Sequence, residues 1–189
     1  MKTLLALAPI LVFSLLLAAC GGQPQAAPDP DVVSLAALEK QAVKVAQTET
    51  PDPILHQVDT DLHWTVFRFT DQAATKEITV LITAPDVPME QWHVEVNTFS
   101  KLVGSKAPGI DLQTLNLGPG RVSRAAAAQW PGCTLHSLTL FLENETLTWV
   151  AFCGTSTGLM SGFMKNDGGI FQTYPGSPAQ VPVTATPAR

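Results

Sequence analysis

The N-terminal apolar segment constrains this chain more than any other feature of its sequence. Met1 and Lys2 give a short positive start, and residues 4–17 are apolar apart from Pro9 and Ser14. Fourteen helical residues span about 21 Å, which is less than the hydrocarbon core of roughly 30 Å. The segment therefore predicts a secretory signal peptide rather than a transmembrane helix. We expect residues 1–19 to be removed, so that they take no part in the folded domain.

The apolar segment ends in Leu17-Ala18-Ala19-Cys20, followed by Gly21. This motif resembles the lipobox of bacterial lipoproteins. The resemblance implies that Cys20 receives a diacylglycerol thioether, becomes the first residue after cleavage and holds the chain on a membrane. Because Gly21 is not Asp, the resemblance implies the outer membrane if the cell has two membranes. The alternative is an ordinary signal peptide cut after Ala19, with Cys20 an incidental thiol.

Composition limits what the mature chain can bind. Of 189 residues, 170 follow the signal peptide, and they carry 10 basic and 16 acidic side chains. No basic block occurs, which argues against nucleic acid as a partner, since phosphates are neutralised by clustered Lys and Arg. Residues 20–30 predict a flexible tether rich in Gly and Pro, and residues 175–189 predict a disordered tail. Residues 31–174 are then one domain, long enough for a sizeable core.

Apolar periodicity predicts the first elements of that domain. Residues 32–47 have apolar side chains at helical spacing and end before Pro51. Residues 62–69 and 76–83 predict a β-hairpin, because apolar and polar side chains alternate in the second segment. Residues 89–102 predict a second amphipathic helix, because large apolar side chains recur there every three or four positions: Met89, Trp92, Val96, Phe99 and Leu102.

The rest of the chain predicts mainly strands. Residues 134–142 and 147–153 form a second hairpin, residues 110–117 and 170–174 are short strands, and residues 123–130 make one or two helical turns. The sequence therefore predicts an α+β fold, in which an antiparallel sheet built from two hairpins carries two main helices on one face.

Two cysteines remain in the predicted domain, Cys133 and Cys153. An exported protein meets an oxidising environment, so we expect them to form a disulfide. A two-residue turn at Asn144-Glu145 sets Cys153 opposite His136, which puts Cys133 on the other face. The bridge therefore requires a bulge, or a bend near residues 131–132. The alternative, a redox-active pair, lacks the Cys-x-x-Cys spacing.

Two motifs suggest chemistry but lack its context. Residues 154–158 match Gly-x-Ser-x-Gly and resemble the nucleophile elbow of the α/β-hydrolases, but that family places its histidine after the serine, whereas His136 is the last histidine here. Four possible metal ligands lie within eight residues: His56, Asp59, Asp61 and His63. A strand places His56 on the opposite face from the other three, so we interpret this segment as a solvated turn and predict no metal site.

These observations predict a non-enzymatic lipoprotein outside the cytoplasm, anchored by acylated Cys20, that binds an envelope protein or a small ligand without a cofactor. The alternatives are an exported hydrolase and an envelope assembly or chaperone factor. Convergent acid, base or nucleophile groups would favour the hydrolase, and an exposed apolar patch of several hundred Å² would favour the assembly factor.

Overall fold

Eight strands form one sheet in the computed structural model, which describes residues 30–61, 63–83, 91–100, 108–156 and 158–174. The first half contains α1 (Pro30–Ala46), β1 (Ile54–Thr60), β2 (Trp64–Thr70), β3 (Lys76–Thr83) and β4 (His93–Ser100). A short 3-10 helix, Leu112–Thr114, precedes α2 (Pro119–Gln129). The second half continues with β5 (Thr134–Glu143), β6 (Thr146–Thr155), β7 (Gly158–Lys165) and β8 (Gln172–Thr173).

The sheet joins two meanders side by side. Its strand order is β4-β3-β2-β1-β5-β6-β7-β8, and every neighbouring pair is antiparallel. The two halves meet where β1 pairs with β5, with Val58 opposite Leu140. This arrangement confirms an α+β fold with an antiparallel sheet. The predicted sheet, made from two hairpins, had too few strands, because β1, β4 and β7 also belong to it.

Both helices contribute to the core that covers one face of the sheet. On the strands, this face carries Val58, Phe67 and Leu140, all with no exposed surface, and the helices add buried side chains of their own. Those of α1 are Leu35, Leu38, Ala42 and Ala46, and those of α2 are Val122 and Ala126. Trp149 of β6 is fully buried, and its indole Nε1 donates a 2.9 Å hydrogen bond to the carbonyl oxygen of Leu117. This bond satisfies the one polar atom of the indole inside the core.

The prediction of a second helix over residues 89–102 was wrong for the described part of that segment. Residues 93–100 form β4, and all eight pair with β3, from His93 opposite Thr83 to Ser100 opposite Lys76. Val94 and Val96 are β-branched and fit a strand as well as the helical period. The second helix of the described residues is α2. The short strand predicted over residues 110–117 is also wrong, since residues 112–114 form the 3-10 helix.

The β5–β6 hairpin contains the two-residue turn that its sequence predicts. Asn144 and Glu145 have φ values of 47° and 64°, and Glu143 lies opposite Thr146. Two consecutive positive φ values are typical of a type I′ turn, whose twist matches that of the flanking strands.

Candidate functional site

Asp59 lies at the centre of the sheet face opposite the core, which we call the Asp59 face. Its carboxylate accepts hydrogen bonds from Gln57 Nε2 at 2.9 and 3.0 Å, from Arg68 Nε at 2.8 Å and from Thr139 Oγ1 at 2.8 Å. Asp59 is only 8% exposed. These contacts tie β1 to β2 and β5 across the middle of the sheet. The positive charge of Arg68 balances that of the carboxylate, and both carboxylate oxygens accept hydrogen bonds, as a buried charge requires.

Arg68 connects Asp59 to a second carboxylate. Its Nη1 donates to Glu77 Oε1 at 3.2 Å, and its side chain is 34% exposed. Burial acts to lower the pKa of Arg68, but hydrogen bonds to and the charges of Asp59 and Glu77 outweigh it, so the pKa lies above its ordinary value. His56 Nε2 lies 4.0 Å from Glu77 Oε2. The guanidinium is therefore held as a cation between two carboxylates and is unsuited to proton transfer.

The structure does not assemble the four possible metal ligands near β1. Asp61 Oδ1 accepts hydrogen bonds from the backbone N–H groups of His63 and Trp64, at 2.9 and 3.0 Å, and so closes the β1–β2 turn. His63 is exposed, and Asp59 is engaged by Arg68. Within the described ranges, no three His, Cys, Asp or Glu side chains are grouped to hold a metal ion.

A β-bulge changes where His56 points. The register of β1 against β2 shifts between Leu55 and Gln57, so the simple alternation assumed from the sequence fails at this residue. His56 therefore lies near Glu77. Glu77 is on the Asp59 face, because it lies two residues before Thr79 on β3, and Thr79 pairs with Arg68 of that face. The prediction that His56 lies on the opposite face from Asp59 was therefore wrong. A bulge adds one residue to a strand, so the side chain of His56 points to the face opposite to the one that simple alternation predicts.

Cys133 and Cys153 are joined by a disulfide, with an S–S distance of 1.98 Å and Cα atoms 5.4 Å apart. The register explains how two residues on different predicted faces can meet. Cys153 lies opposite Leu135 rather than His136, because the β5–β6 pairing shifts between Leu135 and Ser137. The bulge that the bridge requires is therefore at His136. Residues 131–132, suggested for the bend, form a turn just before β5.

The Gly-x-Ser-x-Gly segment lies between antiparallel strands rather than between a strand and a helix. Thr155 ends β6 and lies opposite Gly158, which begins β7. Ser156 is exposed at this turn, whereas a nucleophile elbow requires a helix after the serine. The imidazole of His136 covers Gly154, where an added Cβ would lie 2.6 Å from Nε2. No hydrogen bond between Ser156 and His136 occurs among the described residues.

A cleft of about 410 Å³ lies between the tip of the β5–β6 hairpin and the segment around the 3-10 helix. Asn166 holds its two walls together: its Oδ1 accepts from the backbone N–H of Asn116 at 2.6 Å, and its Nδ2 donates to the Thr114 carbonyl at 2.8 Å. The lining includes three carboxylates, those of Asp111, Glu145 and Asp167. Its residues span positions 109 to 167, which explains why no local sequence motif marks it.

Part of the negative charge near this cleft is already engaged. Asp111 Oδ1 accepts from the backbone N–H of Gln113 at 2.9 Å, and Asp167 Oδ1 accepts from that of Gly169 at 2.8 Å. Burial and the charge of Asp111 raise the pKa of Glu39 on α1, against the smaller opposing effect of Lys40. Asp111 and Asp167 therefore cap turns, and the charge of Asp111 also acts on Glu39.

Strand β4 carries two exposed apolar side chains, one on each face, whose positions the helix prediction did not show. Val96 is 38% exposed and Phe99 is 56% exposed. His93 Nε2 lies 2.8 Å from Glu95 Oε1 on the same strand, with both side chains largely exposed. The alternation over residues 93–97, with Val94 and Val96 between polar side chains, was the available signal for this strand.

The predicted lipidation site Cys20, the signal peptide, the tether before Pro30 and the tail over residues 175–189 lie outside the described residues. Among the described helices, none is both long enough and apolar enough to cross a membrane.

Comparison with known proteins shows a similarity of fold to a solved structure. The sequence matches no protein-family model, and no curated protein matches it. A crystal structure from Clostridium difficile 630, of a protein described as a putative lipoprotein, aligns with a TM-score of 0.54 at 12% sequence identity. The alignment covers 72% of this chain and 91% of that chain. At this identity, the similarity concerns the fold.

Proposed function

We propose that this chain is a bacterial envelope lipoprotein, anchored by acylated Cys20 to the outer side of a membrane, whose α+β domain binds a partner. The observation that carries the proposal is the Leu17-Ala18-Ala19-Cys20 motif ahead of a domain closed by a disulfide. Disulfides persist in exported proteins and are rare in the reducing cytosol. The structural neighbour described as a putative lipoprotein supports the same proposal.

Binding is favoured over hydrolysis by what the domain exposes. Val96 and Phe99 place apolar surface on the two faces of the edge strand β4, where a partner can pack against it. Ser156 lies at an exposed hairpin turn without a hydrogen bond to His136 among the described residues. A serine hydroxyl without a base is a weak nucleophile.

Metabolic labelling with an alkyne fatty acid tests the anchor in the full-length chain. We expect the wild-type chain to be labelled and to sediment with membranes, and the Cys20→Ala variant to be unlabelled and either released or unprocessed. Cys133→Ala is the matched control, because it removes a cysteine of the disulfide and should retain the label. A Cys20→Ala chain that is labelled and membrane-bound would contradict the proposal.

Cross-linking in intact cells tests the binding surface. We expect the wild-type chain to form a defined adduct, and the Phe99→Lys variant to lose it. Ile170→Lys should retain the adduct, because Ile170 is 86% exposed at a different place on the chain. If the wild-type chain forms no adduct, or if both variants behave alike, the binding surface is not at β4.

A further inference from the structure

Strand β4 is the outermost strand at one edge of the sheet. All eight of its residues pair with β3 on one side, and it stands at one end of the strand order. Seven of the eight are exposed, and Val94 is half-buried. Within the described part of the chain, no strand pairs with the other side of β4. Among the described residues, the outer backbone donors and acceptors of β4 therefore have no strand partner.

The strand has few of the features that usually prevent edge-to-edge pairing. Such features are Pro, charged side chains and Lys above all, a bulge or a very short strand, and of these β4 has the exposed Glu95. The sequence of β4, HVEVNTFS, contains neither Pro nor Lys, and its register against β3 shows no shift. At the opposite edge of the sheet, β8 has only two residues. Among the described residues, β4 is therefore the longer of the two edge strands.

We propose that β4 pairs antiparallel with β4 of a second copy of this chain, about a twofold axis through Val96. The axis places Val96 opposite Val96 of the second copy, so that two exposed apolar side chains cover each other. It also places Glu95 opposite Asn97 and His93 opposite Phe99, with no like charges directly opposed. The two sheets then continue into one another.

The neighbouring registers are less favourable. An axis perpendicular to the sheet must pass through a residue, because only then do the same faces of the two copies coincide. An axis through Glu95 opposes two carboxylates, which is destabilising in a cross-strand pair. An axis through Asn97 places Glu95 against Phe99 and separates the two Val96 side chains. Of these three registers, only the one through Val96 pairs apolar with apolar and charge with amide, and it pairs residues 93–99 of β4.

The second copy is the occupant that the anchor favours, and in this respect the inference rests on the proposed function. Two chains tethered through Cys20 to one membrane meet at a high effective concentration, so a modest strand pairing suffices. Val96 lies on the core side of the sheet, opposite the fully buried Val80. A second β4 extends that buried layer.

Disulfide trapping in membranes tests the register of the full-length chain. Opposed Cα atoms in an antiparallel pair lie about 4.5–5.5 Å apart, within the range that a disulfide spans. We expect Val96→Cys to give a dimer under mild oxidation. Thr98→Cys is the matched control: it lies on the same face of β4, but in the proposed register the two Thr98 positions are about 13 Å apart along the strands. We expect that variant to remain monomeric.

A second measurement uses the detergent-solubilised chain. We expect light scattering to give twice the chain mass for the wild type and for Ile170→Lys, and a single chain mass for Val96→Lys, with unchanged circular dichroism for all three. A monomeric wild type, equal trapping at positions 96 and 98, or trapping to a protein of different mass would overturn the inference. Fractionation of the same samples tests the anchor separately. A chain found in the soluble fraction refutes the anchor, while trapping within that fraction still decides the strand pairing.

Discussion

Removal of the Cys133–Cys153 bridge should cost stability mainly through the unfolded chain. The two cysteines are 20 residues apart in sequence. A cross-link closing a loop of this length removes unfolded-state entropy equivalent to about 3 kcal/mol at room temperature. That is a large share of the 5–15 kcal/mol typical of whole proteins. The β5–β6 strands themselves are still connected by the Asn144-Glu145 turn, so we expect the folded contacts to persist.

Urea unfolding of the single and double variants separates the bridge from packing. Cys133→Ala, Cys153→Ala and the double variant all remove the same bridge, so each should lose about 3 kcal/mol and their effects should not add. The urea dependence should also steepen, because the unfolded chain without a cross-link exposes more surface. The buried Trp130 and Trp149 provide the fluorescence signal.

Two outcomes would refute this reasoning. A loss below about 1 kcal/mol for all variants would show that the bridge contributes little loop-closure entropy. A loss confined to variants of Cys153, which is fully buried, would assign the effect to the core rather than the bridge. Reduction of the wild-type chain provides the control and should reproduce the double variant.

Three further substitutions and one labelling experiment have defined outcomes. Glu145→Gly should raise the free energy of unfolding by about 0.5–1 kcal/mol in urea titration, because Gly tolerates the φ of 64°; an unchanged midpoint would contradict this. Asp59→Ala should lower it by about 2–3 kcal/mol by leaving three donors without their acceptor, and a loss below about 1 kcal/mol would show that water replaces the carboxylate. Because the pKa of Glu39 is raised in the folded state, its ionised form opposes folding, so Glu39→Gln should stabilise the chain at neutral pH and less under acid conditions; a pH-independent effect would exclude titration as the cause. A fluorophosphonate probe should leave Ser156 unlabelled, whereas stoichiometric labelling abolished by His136→Ala would favour the hydrolase alternative.

The errors in the sequence analysis have identifiable physical causes. Residues 89–102 satisfy the helical period, but residues 93–97 alternate between polar and apolar side chains, and short apolar patterns of this kind do not distinguish helix from strand. Residues 93–100 form a strand because all eight pair with β3. The segment now known as β1 was interpreted as a turn because its bulge at His56 separates the core residues Leu55 and Val58 by three positions, which hides the strand period of two.

Local patterns in the sequence were sufficient for the α+β class, for the α1 helix and for strands β2, β3, β5 and β6, because each depends on neighbours a few residues away. The lipobox prediction likewise rests on the sequence alone. Only the tertiary structure decided the order of the eight strands, the pairing of β1 with β5 and the exposed edge at β4. It also brought Arg68 and Thr139 to Asp59, from positions 9 and 80 residues away. Such contacts arise from long-range strand pairing, because buried backbone groups require hydrogen-bond partners and these can come from any part of the chain. The local periodicity of a segment does not indicate which distant segment supplies them.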